Sequence, residues 1–153
     1  AQPMTAATFL QSILGMQISQ VWRGHGSAIF LDFGPLSRRK TKKPRPLALE
    51  GDATLMIEWS WRIEQPRSIL CGSWSDQRQW NKAFAQILNA TVSRVECFGN
   101  LSKISISLSN GLRVVSLMTA EGQPSWALIL KQLHAKSVDV SRGRLVVEPI
   151  SAA

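Results

Sequence analysis

The spacing of apolar residues predicts two amphipathic helices, one near the start of the chain and one near its middle. Apolar side chains recur at helical intervals over residues 5–14 and again over 77–88. This spacing places each set on one face of a helix. Thr5 and either Ser75 or Asp76 are the predicted N-caps, because their side chains can accept a hydrogen bond from the first turn.

Both predicted helices end at residues that favour the same backbone geometry. Gly15 and Asn89 follow the last apolar residue of the first and second helix, respectively. Glycine and asparagine are the two residue types that most readily adopt the left-handed conformation found just after a helix. The sequence therefore predicts the same kind of helix end in both places, produced by different residues.

After each helix the apolar pattern changes to a period of two, which is typical of strands. The predicted strands are Ile18–Trp22, Ala28–Phe33, Ala53–Ile63, Ser68–Cys71, Val92–Phe98, Lys103–Leu108, Leu112–Leu117, Trp126–Leu130, Ser137–Val140 and Leu145–Glu148. In Lys103–Leu108 the alternation predicts a core face of Ile and Leu and a solvent face of serines. Asn110–Gly111 predicts a type I′ hairpin turn, whose two central residues both need positive φ.

The chain also shows internal similarity at an offset of 74 residues. The apolar positions of Leu10–Val21 coincide with those of Phe84–Val95, and further on, where the offset has shortened to 65 residues, Trp61 matches Trp126. A repeat of this length indicates two similar structural units. We predict one domain over residues 4–150, with unit one at 5–74 and unit two at 78–148.

These patterns together predict an α+β fold of two repeats related by a pseudo-two-fold axis. Each repeat would be one helix followed by an antiparallel meander of about four strands. The tryptophans at 59, 61 and 126 are predicted core residues, and Trp74 is predicted to fill the seam between the units.

Positive charge is concentrated in one segment of the chain. The formal net charge is +8, from 18 Lys and Arg against 10 Asp and Glu, and six of the basic residues fall between Arg38 and Arg45. This basic segment consists of Arg38, Arg39, Lys40, Lys42, Lys43 and Arg45. The repeat places it in a loop, residues 37–52, that lengthens a hairpin which unit two keeps tight. We predict an exposed loop on a domain that is otherwise nearly neutral.

Three interpretations of the basic segment stay open at this stage. A run of like charges can be a solvated loop that aids solubility. It can also dock an anionic partner, either the phosphate backbone of a nucleic acid or an acidic protein surface. Attraction to anionic lipid headgroups is the third interpretation. No aromatic residue interrupts the segment, so nucleic-acid binding through it would be independent of base sequence and sensitive to salt.

The sequence offers no recognisable catalytic or metal-binding motif. Cys71 and Cys97 are the only cysteines and are predicted to be free thiols. We find no zinc spacing, no P-loop and no nucleophile elbow, so we predict no cofactor, no metal and no catalytic residue. No apolar run is long enough to span a bilayer, and no signal peptide precedes the first helix, which predicts a cytoplasmic location.

One group of polar residues is a candidate pocket. His25 lies in a glycine-flanked turn, while Glu58 and Arg62 share one face of the predicted strand Ala53–Ile63. Glu64 follows them, and Asp32 lies on the preceding strand. The alternative is a row of surface ion pairs, which contributes little to stability and binds nothing.

The pattern resembles a group of small bacterial domains with a duplicated helix-plus-meander, some of which occur among immunity-like proteins. The shared strings are Leu-Ser-Asn-Gly-Leu at 108–112 and Ser-Trp-Ala-Leu at 125–128. The resemblance covers most of the chain but implies no catalytic residue.

Three functional hypotheses follow from these observations. The first is a non-enzymatic binding domain that docks an anionic or protein partner through the basic segment. The second is a small enzyme or ligand binder with a pocket at His25, Glu58 and Arg62. The third is a structural homo-oligomer, such as a homodimer, that forms through a free sheet edge at Leu145–Glu148.

Overall fold

The computed structural model describes residues 5–38, 49–117, 125–131, 136–141 and 144–149. Its two helices are α1 (Ala6–Gln11) and α2 (Gln77–Ile87). The strands of the first half are β1 (Ile18–Arg23), β2 (Ile29–Phe33), β3 (Ser37–Arg38), β4 (Leu49–Glu50), β5 (Ala53–Ile57), β6 (Ser60–Gln65) and β7 (Ser68–Gly72). Those of the second half are β8 (Val92–Phe98), β9 (Lys103–Leu108), β10 (Arg113–Leu117), β11 (Trp126–Leu130), β12 (Lys136–Ser141) and β13 (Arg144–Pro149).

The strands form three antiparallel sheets. The six-stranded sheet has the order β1-β2-β5-β11-β12-β13, and the five-stranded sheet has the order β7-β6-β10-β9-β8. Strands β3 and β4 form a short two-stranded ribbon between β2 and β5. Each large sheet therefore combines strands from both halves of the chain.

The predicted α+β class, with two helix-plus-meander repeats, is wrong. The structure is mostly β, with 52% strand and 15% helix, and its strands lie in three antiparallel sheets. β5 and β6 do not pair with each other: β5 pairs with β11, and β6 pairs with β10. A meander keeps each strand beside its neighbour in sequence, whereas here the chain crosses from one sheet to the other between β5 and β6. Local periodicity predicts strands but does not say which strand pairs with which.

Both predicted left-handed residues are confirmed, but only Asn89 lies just after its helix, because α1 ends at Gln11 rather than at the predicted Leu14. Gly15 and Asn89 have φ of +83° and +72°. The N–H of Gly15 donates to the Val92 carbonyl at 2.9 Å, and the N–H of Asn89 donates to the Ile18 carbonyl at 2.8 Å. The predicted N-caps Thr5 and Asp76 are confirmed, since each side chain accepts a hydrogen bond from the first turn of its helix.

One hydrophobic core takes side chains from both helices and both large sheets. Trp61 and Trp126 are buried, as predicted, and their indole N–H groups donate to the carbonyls of Ser27 and Ser102. Trp61 also contacts Trp80 of α2 edge to face, with ring centroids 4.9 Å apart. The inward faces of the two sheets are thus held together by large aromatic side chains.

Two other tryptophans contradict the prediction. Trp59 is 59% exposed and has a φ of +67°, because it lies at the crossing between β5 and β6, where the predicted strand Ala53–Ile63 is interrupted. Trp74 is 92% exposed in the turn after β7, so it fills no seam. Strand alternation fails at 59 because a positive φ turns the side chain off the regular pleat.

Smaller corrections concern the second half. β9 and β10 form the predicted hairpin, but only Gly111 of its turn has positive φ, at +86°, so the turn is not type I′. The three-residue loop over 109–111 instead ends in one left-handed residue, as in type I turns followed by a bulge. Ser105 is buried rather than solvent-facing, since it lies on a central strand between Glu96 and Val115.

Candidate functional site

The basic segment leaves the fold through the ribbon of β3 and β4. Ser37 pairs with Glu50, and Arg38 pairs with Leu49. Arg38 is exposed. The other five basic residues of the segment, from Arg39 to Arg45, lie outside the described residues. The ribbon holds the residues on either side of that stretch, Arg38 and Leu49, next to each other.

A buried carboxylate lies beneath this ribbon. Asp32 of β2 is fully buried and accepts four hydrogen bonds. Its Oδ1 accepts from Thr54 Oγ1 at 2.7 Å and from the Gly51 N–H at 3.1 Å. Its Oδ2 accepts from Gln20 Nε2 at 2.9 Å and from Trp22 Nε1 at 3.0 Å. Such a set of donors satisfies a buried carboxylate, which would otherwise be strongly unfavourable in the core.

Lys131 binds the same region from β11. Its Nζ donates to the Gly51 carbonyl at 2.7 Å and to Thr54 Oγ1 at 3.2 Å, and it forms an ion pair with Glu50 at 3.0 Å. Both backbone groups of Gly51 are therefore bound by side chains, the N–H by Asp32 and the carbonyl by Lys131. Gln20 adds a hydrogen bond to the Leu49 carbonyl at 3.2 Å.

Close backbone packing fixes the residue type at 51. A Cβ atom at this position would lie 2.5 Å from the Phe33 carbonyl oxygen and 2.9 Å from the Phe33 nitrogen. Real Cβ atoms do not approach backbone atoms so closely, so the segment after β4 can lie against β2 only with glycine here. We call Gln20, Trp22, Asp32, Gly51, Thr54 and Lys131 the ribbon anchor.

A separate cavity contains two of the three predicted pocket residues. His25 and Glu58 line a cavity of about 410 Å³ together with Trp59 and the turn residues at 26–28. The cavity is held open by the crossing between the sheets, where Ser27 Oγ donates to the Trp59 carbonyl at 2.6 Å. His25 is exposed and Glu58 is half-buried. The third residue, Arg62, does not line this cavity.

Arg62 instead belongs to a cluster on the five-stranded sheet. Its Nε lies 2.5 Å from Glu64 Oε2, and Arg113 Nη2 lies 2.6 Å from Glu64 Oε1. Burial would raise the pKa of Glu64, but hydrogen bonds from Arg113 and Arg62, together with their charges, hold that pKa below its ordinary value. The ion-pair row that the sequence allows as an alternative to a pocket joins Arg62 to Glu58, whereas the structure pairs Arg62 with Glu64.

The ribbon anchor is the feature that sequence reasoning missed. The sequence pattern places Asp32 only among the carboxylates near Glu58, and it gives no role to Thr54 or Lys131. A signal is present, since Asp32 interrupts an otherwise apolar strand, Ile29–Phe33, whose neighbours are buried. An acidic residue in such a strand requires several hydrogen-bond donors around it.

The thiols fit no reactive site. Burial raises the pKa of Cys71, and it raises the pKa of Cys97 to about 11. Both residues therefore stay protonated near neutral pH, and only the thiolate is strongly nucleophilic. Within the described ranges, no three His, Cys, Asp or Glu residues come together as they would around a metal ion.

Comparison with known proteins gives no match: no family model, no curated protein and no solved structure is similar to this chain. The resemblance to immunity-like bacterial domains thus stays a prediction. Neither helix in the described part of the chain has the length and apolar character needed to cross a bilayer.

Proposed function

We propose that this protein is a non-enzymatic binding domain that docks an anionic partner through the basic segment, Arg38–Arg45. The observation that carries the proposal is the ribbon anchor, which fixes the base of a segment holding six of the 18 basic residues. A loop that only aids solubility needs no buried carboxylate and no half-buried lysine at its base. A fixed base keeps the charges at one place on the surface and lowers the entropy lost on binding.

The charges of the segment act together. Six positive charges within eight residues span at most about 28 Å even in a fully extended chain. Neighbouring charges thus lie within roughly one Debye length, about 8 Å at physiological salt. A row of closely spaced cations binds best to a row of anions, as on a nucleic-acid backbone or an acidic protein surface, and releases counterions from it.

The experiment compares two variants with the same loss of charge. One replaces Lys40, Lys42 and Lys43 with Ser, and the matched control replaces Arg78, Lys82 and Arg94, which are exposed on α2 and β8. Binding is measured to a duplex DNA of about 20 base pairs and to poly-glutamate over a range of salt concentrations.

We expect the segment variant to lose affinity and the control to bind like the wild type. For the DNA, the slope of log K against log salt falls by about 2.7 when three phosphate contacts are removed. Binding to DNA alone identifies phosphate as the recognised group, whereas binding to both probes identifies negative charge in general. Equal losses in the two variants would show that net charge, not the segment, attracts the anion, and would reject the proposal.

A second candidate function is favoured by the cavity beside Trp59. Its volume of about 410 Å³ lies within the range of small-molecule sites. An exposed indole beside the carboxylate of Glu58 suits a cationic ligand such as an alkylammonium ion. Titration with tetramethylammonium, followed through the indole N–H signal of Trp59 by NMR, tests this function. A signal that does not move in the wild type rejects it, and a shift that Glu58→Gln removes supports it.

A further inference from the structure

The two large sheets arrange their strands in the same order, but the six-stranded sheet has one more strand at its edge. β8-β9-β10-β6-β7 repeats the connectivity of β1-β2-β5-β11-β12: three strands that follow a helix, then two strands from the other half of the chain. β13 adds a sixth strand beside β12. In the part of the chain that the structure describes, β7 pairs with β6 alone. None of the described strands occupies the place beside β7 that corresponds to β13.

The contacts of the two helices with the edge strands show the same difference between the sheets. α1 contacts both β12 and β13, whereas its counterpart α2 contacts β7. Leu145 and Val147 of β13 pack against the core at that edge. The corresponding edge at β7 instead leaves apolar side chains in solvent. Ile69 is 60% exposed, and Trp74 in the following turn is 92% exposed.

The edge also lacks the features that protect open strands from pairing. None of the five residues of β7 is charged, and none is proline. Proteins commonly place lysine or proline on an edge strand to prevent association. Ile69 and Trp74 border a cavity of about 350 Å³ that also includes Gly72 and Leu117. An apolar edge strand beside an apolar hollow fits an added strand from another chain.

A bulge in β7 restricts how a second strand can pair with it. Ile63 of β6 pairs with Cys71, and the next residue of β6, Glu64, pairs with Ile69, so Leu70 is the extra residue. Leu70 and Cys71 both face the core, while Ile69 faces outward. Directly opposed residues of antiparallel strands point to the same face. In a pair of two β7 strands, this condition is met when Leu70 of one copy lies opposite Cys71 of the other.

We infer that two copies of this chain associate through β7, antiparallel and about a two-fold axis, with Leu70 opposite Cys71. This register places Ile69 over Gly72 of the second copy, where no side chain obstructs it. Arg67 lies in the turn before β7, and Trp74 lies in the turn after it. An antiparallel pair therefore brings the Arg67 turn of one copy and the Trp74 turn of the other to the same end, which allows a cation–π contact. Asp76 follows Trp74 as the N-cap of α2, so opposite charges also meet at each end of the pair.

The chemistry of the edge favours a second copy over an unrelated peptide because the surface is complementary to itself. The strand carries exposed apolar side chains, with a positive charge in the turn before it and a negative charge just after it, so an antiparallel pair about a two-fold axis matches both. One pair of five-residue strands makes a small interface, so we expect a dissociation constant of about 1–100 μM. The proposed dimer does not involve the basic segment, so its test is independent of the test of the proposed function.

Analytical ultracentrifugation of the whole chain, from low micromolar to several hundred micromolar concentration, tests this inference. We expect a monomer–dimer equilibrium in the wild type and a monomer throughout for Ile69→Lys. Val146→Lys is the matched control, since Val146 is an exposed residue at the other edge, on β13. That variant keeps the dimer of the wild type.

Two further variants probe the contacts within the interface. Trp74→Ala and Arg67→Glu each weaken the dimer about tenfold or more, because one removes the apolar contact and the other places like charges together. Circular dichroism checks that each variant keeps the native fold. A wild type that stays monomeric at every concentration overturns the inference. So does a dimer that survives Ile69→Lys but is lost in Val146→Lys, because that result places the interface at β13.

Discussion

The chain joins one pair of neighbouring strands in each large sheet in a different way. In the five-stranded sheet, β9 and β10 are joined by four residues, 109–112, with Gly111 in the left-handed conformation. In the six-stranded sheet, residues 34–52 separate β2 from β5 and carry the ribbon and the basic segment. The two pairs hold corresponding places in their sheets.

Only the longer connection has a buried carboxylate at its base. β9 and β10 contain no acidic residue, and their turn is closed by the backbone and by Asn110, whose Oδ1 accepts from the Leu112 N–H at 3.1 Å. At the longer connection, Gly51 follows the ribbon strand β4, and side chains bind both of its backbone polar groups. Where the chain leaves the regular ladder of hydrogen bonds between strands, backbone polar groups lose their partners. At Gly51, Asp32 and Lys131 bind those groups instead.

Asp32→Ala is expected to cause the largest loss of unfolding free energy. The substitution leaves four hydrogen-bond donors without their acceptor in a buried site, which should cost about 3 kcal/mol or more of unfolding free energy. Ser107→Ala in β9 is the control and should change stability by less than about 0.5 kcal/mol. Urea unfolding of both variants measures the difference, and similar midpoints would contradict a special role for the anchor.

Replacing one glycine of each connection with alanine should give a difference in unfolding free energy of intermediate size. At Gly51 the added methyl group meets backbone atoms of Phe33 at 2.5 Å, so we expect a loss of about 2–3 kcal/mol. At Gly111 nothing lies within 4 Å, and only the φ of +86° is unfavourable, at about 1 kcal/mol. Thermal unfolding ranks the two variants. An equal loss at both positions would show that the close approach at Gly51 is not tight.

The smallest effect concerns the carboxylate of the five-stranded sheet. Glu64 is held by two arginines rather than by neutral donors, and its pKa lies below the ordinary 4.5. Because the folded pKa is the lower one, its stabilising effect is complete above the unfolded pKa and is lost as pH falls through the folded value. Wild type should therefore lose more stability than Glu64→Gln below about pH 4.5, by less than about 1 kcal/mol. Parallel pH profiles for the two proteins would contradict this account.

The helices, their caps and most strands could be predicted because they depend on local chemistry. Asn89 ends its helix as predicted, and Trp61 and Trp126 are buried. Gly15 has the predicted positive φ, but α1 ends earlier, at Gln11. Which strands share a sheet could not be predicted, since β5 and β6 each pair with a strand more than 45 residues away in sequence. Trp59 shows the same limit: its exposure follows from a positive φ at the crossing, and nothing in its local pattern indicates a break.

The candidate site was predicted only in part. The basic segment is visible in composition, and His25 and Glu58 do line one cavity. Strand alternation places Arg62 with Glu58, but the crossing at Trp59 interrupts that alternation, and Arg62 contacts Glu64 instead. The ribbon anchor joins Asp32, Thr54 and Lys131, which are far apart in sequence. Their proximity depends on strand order, so the sequence pattern alone could not show it.

The most direct test removes the basic segment and leaves the ribbon anchor intact. A variant without residues 39–48, with Arg38 joined to Leu49 through Asn-Gly, turns the long connection into a short hairpin like that of β9 and β10. Its binding to duplex DNA at low salt is compared with that of the wild type by fluorescence anisotropy. The account predicts a variant that unfolds within about 1 kcal/mol of the wild type and binds at least about a hundredfold more weakly. A folded variant that binds as tightly as the wild type would contradict it.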